Sequence, residues 1–117
     1  INDTWGHLSG DIVLRNVARE GLQVMQPHSV SVYRYGGEEF AVIFQAERSE
    51  ASRQLLEAWR SAVEQREWRE DNLHVTFSAG LGEWQFEPLE QLVGRVDAAL
   101  YQAKQQGKNR ILLTSEI

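Results

Sequence analysis

Residues 32–45 read VYRYGGEEFAVIFQ. Two apolar runs meet at a pair of glycines, Gly36 and Gly37, and two acids follow at once, Glu38 and Glu39. This pattern predicts a β-hairpin with strands over 30–35 and 40–45 and the glycines at its turn. In the second strand Phe40, Val42 and Phe44 alternate with Ala41 and Ile43, so both faces are apolar. Such a strand is expected inside a sheet covered on both sides. Neighbouring residues of an extended segment point to opposite sides, so only one of Glu38 and Glu39 can look into a given cleft. The acids either decorate a solvated turn or hold something. Phosphates with magnesium would use such a carboxylate, because Mg2+ prefers hard oxygen ligands and takes few of them from the protein.

Outward from the hairpin, helical and extended patterns alternate. From Ser9, the residues Leu14, Val17, Ala18, Leu22 and Met25 recur at three- and four-residue spacing and define one apolar face. Ser9 suits a helix cap, Asp11 suits the first turn, and Pro27 closes the element. A second helix is predicted over 49–67, with Ala51, Leu55, Trp59, Ala62 and Val63 inward. A strand follows at 73–82, where Val75, Phe77, Ala79 and Leu81 alternate with smaller or polar residues. A third helix starts near Pro88, carries Leu89, Leu92, Val93, Val96, Leu100 and Ala103, and stops at Gly107. The segment NRILLT reads as a last strand. The fold class is α/β in the broad sense (α+β), a mostly antiparallel sheet flanked by helices.

The chain has 117 residues, enough for one domain or part of one. No apolar run approaches the 18 residues or so that a membrane span needs. The absence of cysteine removes disulfides and thiolate zinc sites and fits a reducing compartment. A net charge of −5 disfavours sequence-independent nucleic-acid binding, but not a small anion held by local bases.

Two further polar groups stand out. AKQQGKNR sets Lys104, Lys108 and Arg110 around a helix C-terminus. Cations there complement the helix dipole without any ligand. Lys104 and Lys108, one helical turn apart, could also share a face and, with Arg34, form a small basic cluster that a triphosphate would use. Asn2, His7 and Asp11 are either a polar loop with a helix cap or a reader of a purine edge, since a carboxylate accepts from both N–H groups of guanine. There is no zinc-type His spacing, no phosphate-binding P-loop and no G-x-S-x-G nucleophile motif.

INDTWGHLSGDIVL, RYGGEEF, VTFSAG and VDAALYQAKQQGKNR, taken in order, resemble the GGDEF domain of diguanylate cyclases, with the signature in its Glu-containing form. The resemblance covers nearly the whole chain. It implies a fold like the palm of nucleotidyl cyclases and polymerases, and condensation of two GTP molecules into cyclic di-GMP by two domains meeting face to face. It implies Mg2+ or Mn2+ as cofactor, Glu38 as metal ligand and Glu39 as a second catalytic acid. Gly36 and Gly37 would let the backbone approach the phosphates. Asn2 and Asp11 would bind guanine, Leu14 would line its pocket, and His7 would support the adjoining loop. Lys104 and Lys108 would contact phosphates. Lysine at 108, where the family often has arginine, keeps the charge without the bidentate fork.

The resemblance also implies a cytoplasmic domain, alone or as part of a membrane-anchored sensor, controlled by an upstream sensory or receiver module. No nucleic acid or membrane contact is expected. Residues 1–117 are expected to be an N-terminally truncated domain, because the family's first strand and its metal-binding aspartate do not precede INDTWGH. One carboxylate alone makes a poor magnesium site, so catalysis is expected of the parent protein. The family's RxxD product-inhibition site is replaced by Pro27, His28, Ser29 and Val30, so strong product inhibition is not expected there. The alternatives are an inactive GGDEF domain that binds GTP and regulates a neighbour, and a purely structural dimerisation domain.

Overall fold

The hairpin forms where its glycines and alternating apolar residues require it. In the computed structural model, which describes residues 6–25, 30–36, 39–44, 49–66 and 74–117, β1 spans Val30–Gly36 and β2 spans Glu39–Phe44. The strands are antiparallel, Val30 opposite Phe44 and Arg34 opposite Phe40. Before them runs α1, Gly6–Met25, and after them α2, Ser49–Gln65. Then come β3, Ala79–Leu81, α3, Leu89–Gln105, β4, Ile111–Leu113, and a short 3-10 turn at Thr114–Glu116. Among the described residues no helix is long and apolar enough to cross a membrane.

The core gathers on Trp59 of α2, which is 3% exposed. Its indole N–H donates to the Val17 carbonyl of α1 at 2.9 Å. Phe40 of β2 meets its ring edge-on at 6.1 Å, and Phe77 packs at 5.0 Å. One residue thus joins both helices to the hairpin and to the segment before β3. Gly21 makes this possible, since a Cβ there would lie 2.5 Å from the indole. The inner stripe of α1 is therefore Val13, Val17, Gly21 and Met25, at four-residue spacing. Leu22, expected on that face, falls beside it and is 56% exposed.

Other expectations are corrected. Helix α1 already includes Gly6, so Ser9 lies inside it and Asp11 lies beyond its first turn. Burial of the later turns outweighs the roughly 1 kcal/mol that Gly10 costs a helix interior. A mostly antiparallel sheet is not confirmed among the described residues. The described residues give one antiparallel pair, β1–β2, and one parallel pair, β3–β4. The parallel pair follows from α3, a crossover helix that carries the chain back before β4 begins. Strand β3 is shorter than expected: Ala79 pairs with Ile111, and the chain before Ile111 belongs to the turn that ends α3. Val75 and Phe77 still turn inward, but residues 74–78 form no strand. The two apolar faces of β2 are unequal, because Ile43 is half exposed while Phe40 and Phe44 pack on the core.

Helix α3 presses unusually close on β3. A Cβ at Gly80 would lie 2.3 Å from the Val96 carbonyl oxygen, and Ala99 and Ala103 are fully buried. The loop that enters α3 carries Trp84 and Phe86, whose rings touch at 4.7 Å. Phe86 is 85% exposed and has φ of 62°, the left-handed region. Glu87 secures the loop by accepting from the Gln85 N–H at 2.8 Å and from the Arg95 guanidinium at 2.6 and 3.0 Å. The Gln85 N–H first, and Arg95 after it, hold the Glu87 carboxyl below the usual carboxylate range.

Candidate functional site

The hairpin register contains one irregularity, between Arg34 and Gly36. Arg34 opposes Phe40 and Gly36 opposes Glu39, so Tyr35 is an extra residue on β1. A bulge of this kind bends the strand and re-aims the residues beyond it. Gly36 and Glu39 therefore face each other across the ladder, with Gly37 and Glu38 between them in the chain. Gly37, Glu38 and Asn2 lie outside the described residues, as do Pro27, His28 and Ser29. For His7, Asp11, Arg34, Gly36 and Glu39 the structure describes the backbone. His7 and Asp11 sit one helical turn apart in α1, and Leu14, three residues further on, is buried.

The basic residues at the end of α3 are fully described. Gly107 ends α3 as expected, with φ of 122°. Its N–H donates to the Lys104 carbonyl, and the Lys108 N–H donates back to the Ala103 carbonyl at 3.0 Å. This pair of bonds is a Schellman motif, which satisfies carbonyls that the helix end would otherwise leave open. The chain then takes two more left-handed residues, Lys108 at φ 65° and Asn109 at 49°. Lys104 and Lys108 are both exposed, and neither makes an ion pair among the described residues. Arg110 instead turns back, its Nε donating to the Lys108 carbonyl at 3.0 Å.

Asn109 was not singled out by sequence reasoning, yet it is the best-anchored residue of this turn. Its backbone N–H donates to Ser78 Oγ at 3.0 Å. Its side-chain Oδ1 accepts from Arg60 Nη1 at 2.8 Å, and its Nδ2 donates to Glu64 Oε2 at 2.5 Å. Arg60 also bonds Glu64 Oε1 at 3.1 Å and pairs with Glu57. The Asn109 amide, and then Arg60, hold the Glu64 carboxyl below its ordinary value. Glu57 chiefly, with Glu64, raises the Arg60 guanidinium. The available signal was asparagine just past a helix-ending glycine, a residue that tolerates left-handed backbone.

No hydrogen bond or ion pair among the described residues joins the Lys104–Lys108 turn to the hairpin. Nor do those residues include a group of three or more His, Asp or Glu able to hold a metal ion.

Comparison with known proteins supplies what the chain alone does not. It is 38% identical to diguanylate cyclase A of Treponema denticola over 97% of its own length, and it spans 32% of that protein. Its fold matches the GGDEF domain of DgcB from Caulobacter crescentus, solved with c-di-GMP, at a TM-score of 0.85 and 38% identity. That match covers 97% of this chain and 70% of the other. The active GGEEF domain of a diguanylate cyclase from Vibrio cholerae matches at a TM-score of 0.86 and 32% identity, covering 97% and 74%. The family described as “Diguanylate cyclase, GGDEF domain” matches residues 1–110, and the chain belongs to that family.

Proposed function

We propose that this chain is the nucleotidyl-transfer domain of a diguanylate cyclase, which joins two GTP molecules into cyclic di-GMP when two copies meet face to face. The observation that carries this reading is the β1–β2 hairpin, whose bulge and register set Gly36 opposite Glu39 within RYGGEEF. The parent protein would catalyse two identical transfers. In each, the 3′ oxygen of one GTP bonds to the α-phosphorus of the other, and the bond from that phosphorus to pyrophosphate breaks. The hydroxyl proton leaves to solvent or to a hairpin acid.

Glu38 and Glu39 are hard oxygen donors of the type Mg2+ and Mn2+ take. Glu38, together with the nucleotide's own phosphates, would hold the ion. When bound, such an ion offsets the charge that develops on the reacting oxygens. The remaining work is positioning. Gly36 and Gly37 have no Cβ to keep the backbone from the phosphates. Lys104 and Lys108 supply exposed charge at the end of α3. Asn2 and Asp11 would read the guanine edge, beside Leu14 as an apolar wall and with His7 supporting the loop.

The test is to incubate the full-length protein with GTP and Mg2+ and to separate the products. Cyclic di-GMP with pyrophosphate, lost in Glu38→Ala, is the expected result. GTP bound but not converted would replace this reading with that of a GTP-binding regulatory domain. Neither product nor binding would overturn both.

A further inference from the structure

We propose that Asn109 is a positioning residue for the phosphate-contacting turn, and that Arg60 and Glu64 of α2 hold it in place. The inference rests on the reading of Lys108 as a phosphate contact. Lys108 and Asn109 are consecutive left-handed residues that are not glycine, an arrangement that persists only when its surroundings over-determine it. For Lys108 the bonds fall on its own backbone groups. Its N–H is tied to Ala103, and its carbonyl accepts from Arg110. Its ammonium group makes no ion pair among the described residues, so the charge is held out while the chain beneath it is fixed.

The fixing element is the next residue. Asn109 uses its backbone N–H, its amide oxygen and its amide nitrogen on three different partners, Ser78, Arg60 and Glu64. These belong to the segment before β3 and to α2, so the turn is clamped to two parts of the fold besides α3. Glycine, aspartate and alanine each fail at least one of these demands. Glycine would adopt the backbone but has no amide. Aspartate would keep the shape but set a second carboxylate against Glu64. Alanine would meet neither demand. Arg60 and Glu64, one helical turn apart on α2, engage each other as well as the amide. The clamp is thus a closed ring of donors and acceptors.

A double-mutant cycle in the full-length protein tests this, read as the affinity for a non-hydrolysable GTP analogue by calorimetry. Thermal unfolding of each variant is followed in parallel. Lys108→Ala is expected to weaken binding about tenfold, the size of one hydrogen bond to a charged group. Asn109→Gly should lose most of the same factor, and the double variant should bind no worse than Lys108→Ala alone, because the two residues act in series. If Asn109→Gly does not fold, Glu64→Ala, which leaves α3 and Asn109 intact, takes its place in the cycle. Full affinity in the clamp variant, or losses that multiply in the double variant, would overturn the inference and leave the Lys108 reading standing. Unchanged binding in Lys108→Ala would overturn the Lys108 reading itself, and the inference with it.

Discussion

Helix α3 is entered through Phe86, at φ 62°, and left through Lys108 and Asn109, at 65° and 49°. Both connections hold non-glycine residues in left-handed backbone, and both are laced by an arginine and a glutamate. They differ in where the bonds fall. In the entry loop the neighbours make them: Glu87 accepts from Gln85 and Arg95, while the Phe86 ring stands in solvent against Trp84. In the exit turn the strained residue makes them itself, since the Asn109 side chain bonds Arg60 and Glu64. The same backbone cost therefore attaches to a side chain that can be removed at one end and to one that cannot at the other.

The sharpest way to break the comparison is to unseat the helix that carries both ends. Gly80→Ala places a Cβ on the Val96 carbonyl and the Leu100 N–H, which are backbone atoms and cannot swing aside. A loss of about 3 kcal/mol is expected in urea unfolding, the upper part of the overpacking range. A loss below about 1 kcal/mol would mean that α3 shifts freely and that its ends are independent. Next is Asn109→Gly, which relieves the left-handed strain yet is expected to destabilise by about 1–2 kcal/mol, because hydrogen bonds to charged partners outweigh that relief. Phe86→Gly should do the reverse. Strain relief of about 1–2 kcal/mol exceeds the roughly 0.5–1 kcal/mol of added unfolded-state freedom, so stability should hold or rise slightly. If both glycine variants moved stability in one direction, the distinction between the two connections would be wrong.

The smallest expected effect is one of pH. The Glu64 carboxyl is depressed in the folded state, by Asn109 first and Arg60 next. A depressed carboxyl contributes stability that is present above its unfolded value, near 4.3, and is lost as pH falls through the folded value. The stability advantage of the natural chain over Glu64→Gln should therefore be greatest at neutral pH and fade in acid. An advantage independent of pH would show that charge on Glu64 does not hold the clamp.

The order of elements was legible because each has a clear period. The hairpin is local, α2 and α3 carry apolar stripes, and Gly107 marks a stop that the Schellman bonds realise. What escaped depends on distant partners. Strand direction at β3–β4 is set by the crossover, and Leu22 lost its place to Gly21 because Trp59 lies against that glycine. The candidate site divides the same way. Lys104 and Lys108 show in the sequence as charges at a helix end. The importance of Asn109 emerges only once Ser78, Arg60 and Glu64 have been brought to it from elsewhere in the chain.

The two strand pairs also differ in how late they can assemble. The β1–β2 pair joins strands that are neighbours in the chain, and such hairpins close within about 1–10 μs. In β3–β4, Ala79 pairs with Ile111 across the whole of α3, which lies between them in the chain. Non-local pairing must first meet its loop-closure entropy. Pairing of β1 with β2 therefore carries the smaller closure cost, whereas Asn109 meets Ser78 only when the chain on either side of α3 comes together. On closure cost alone, the hairpin would pair before the clamp on Asn109 closes.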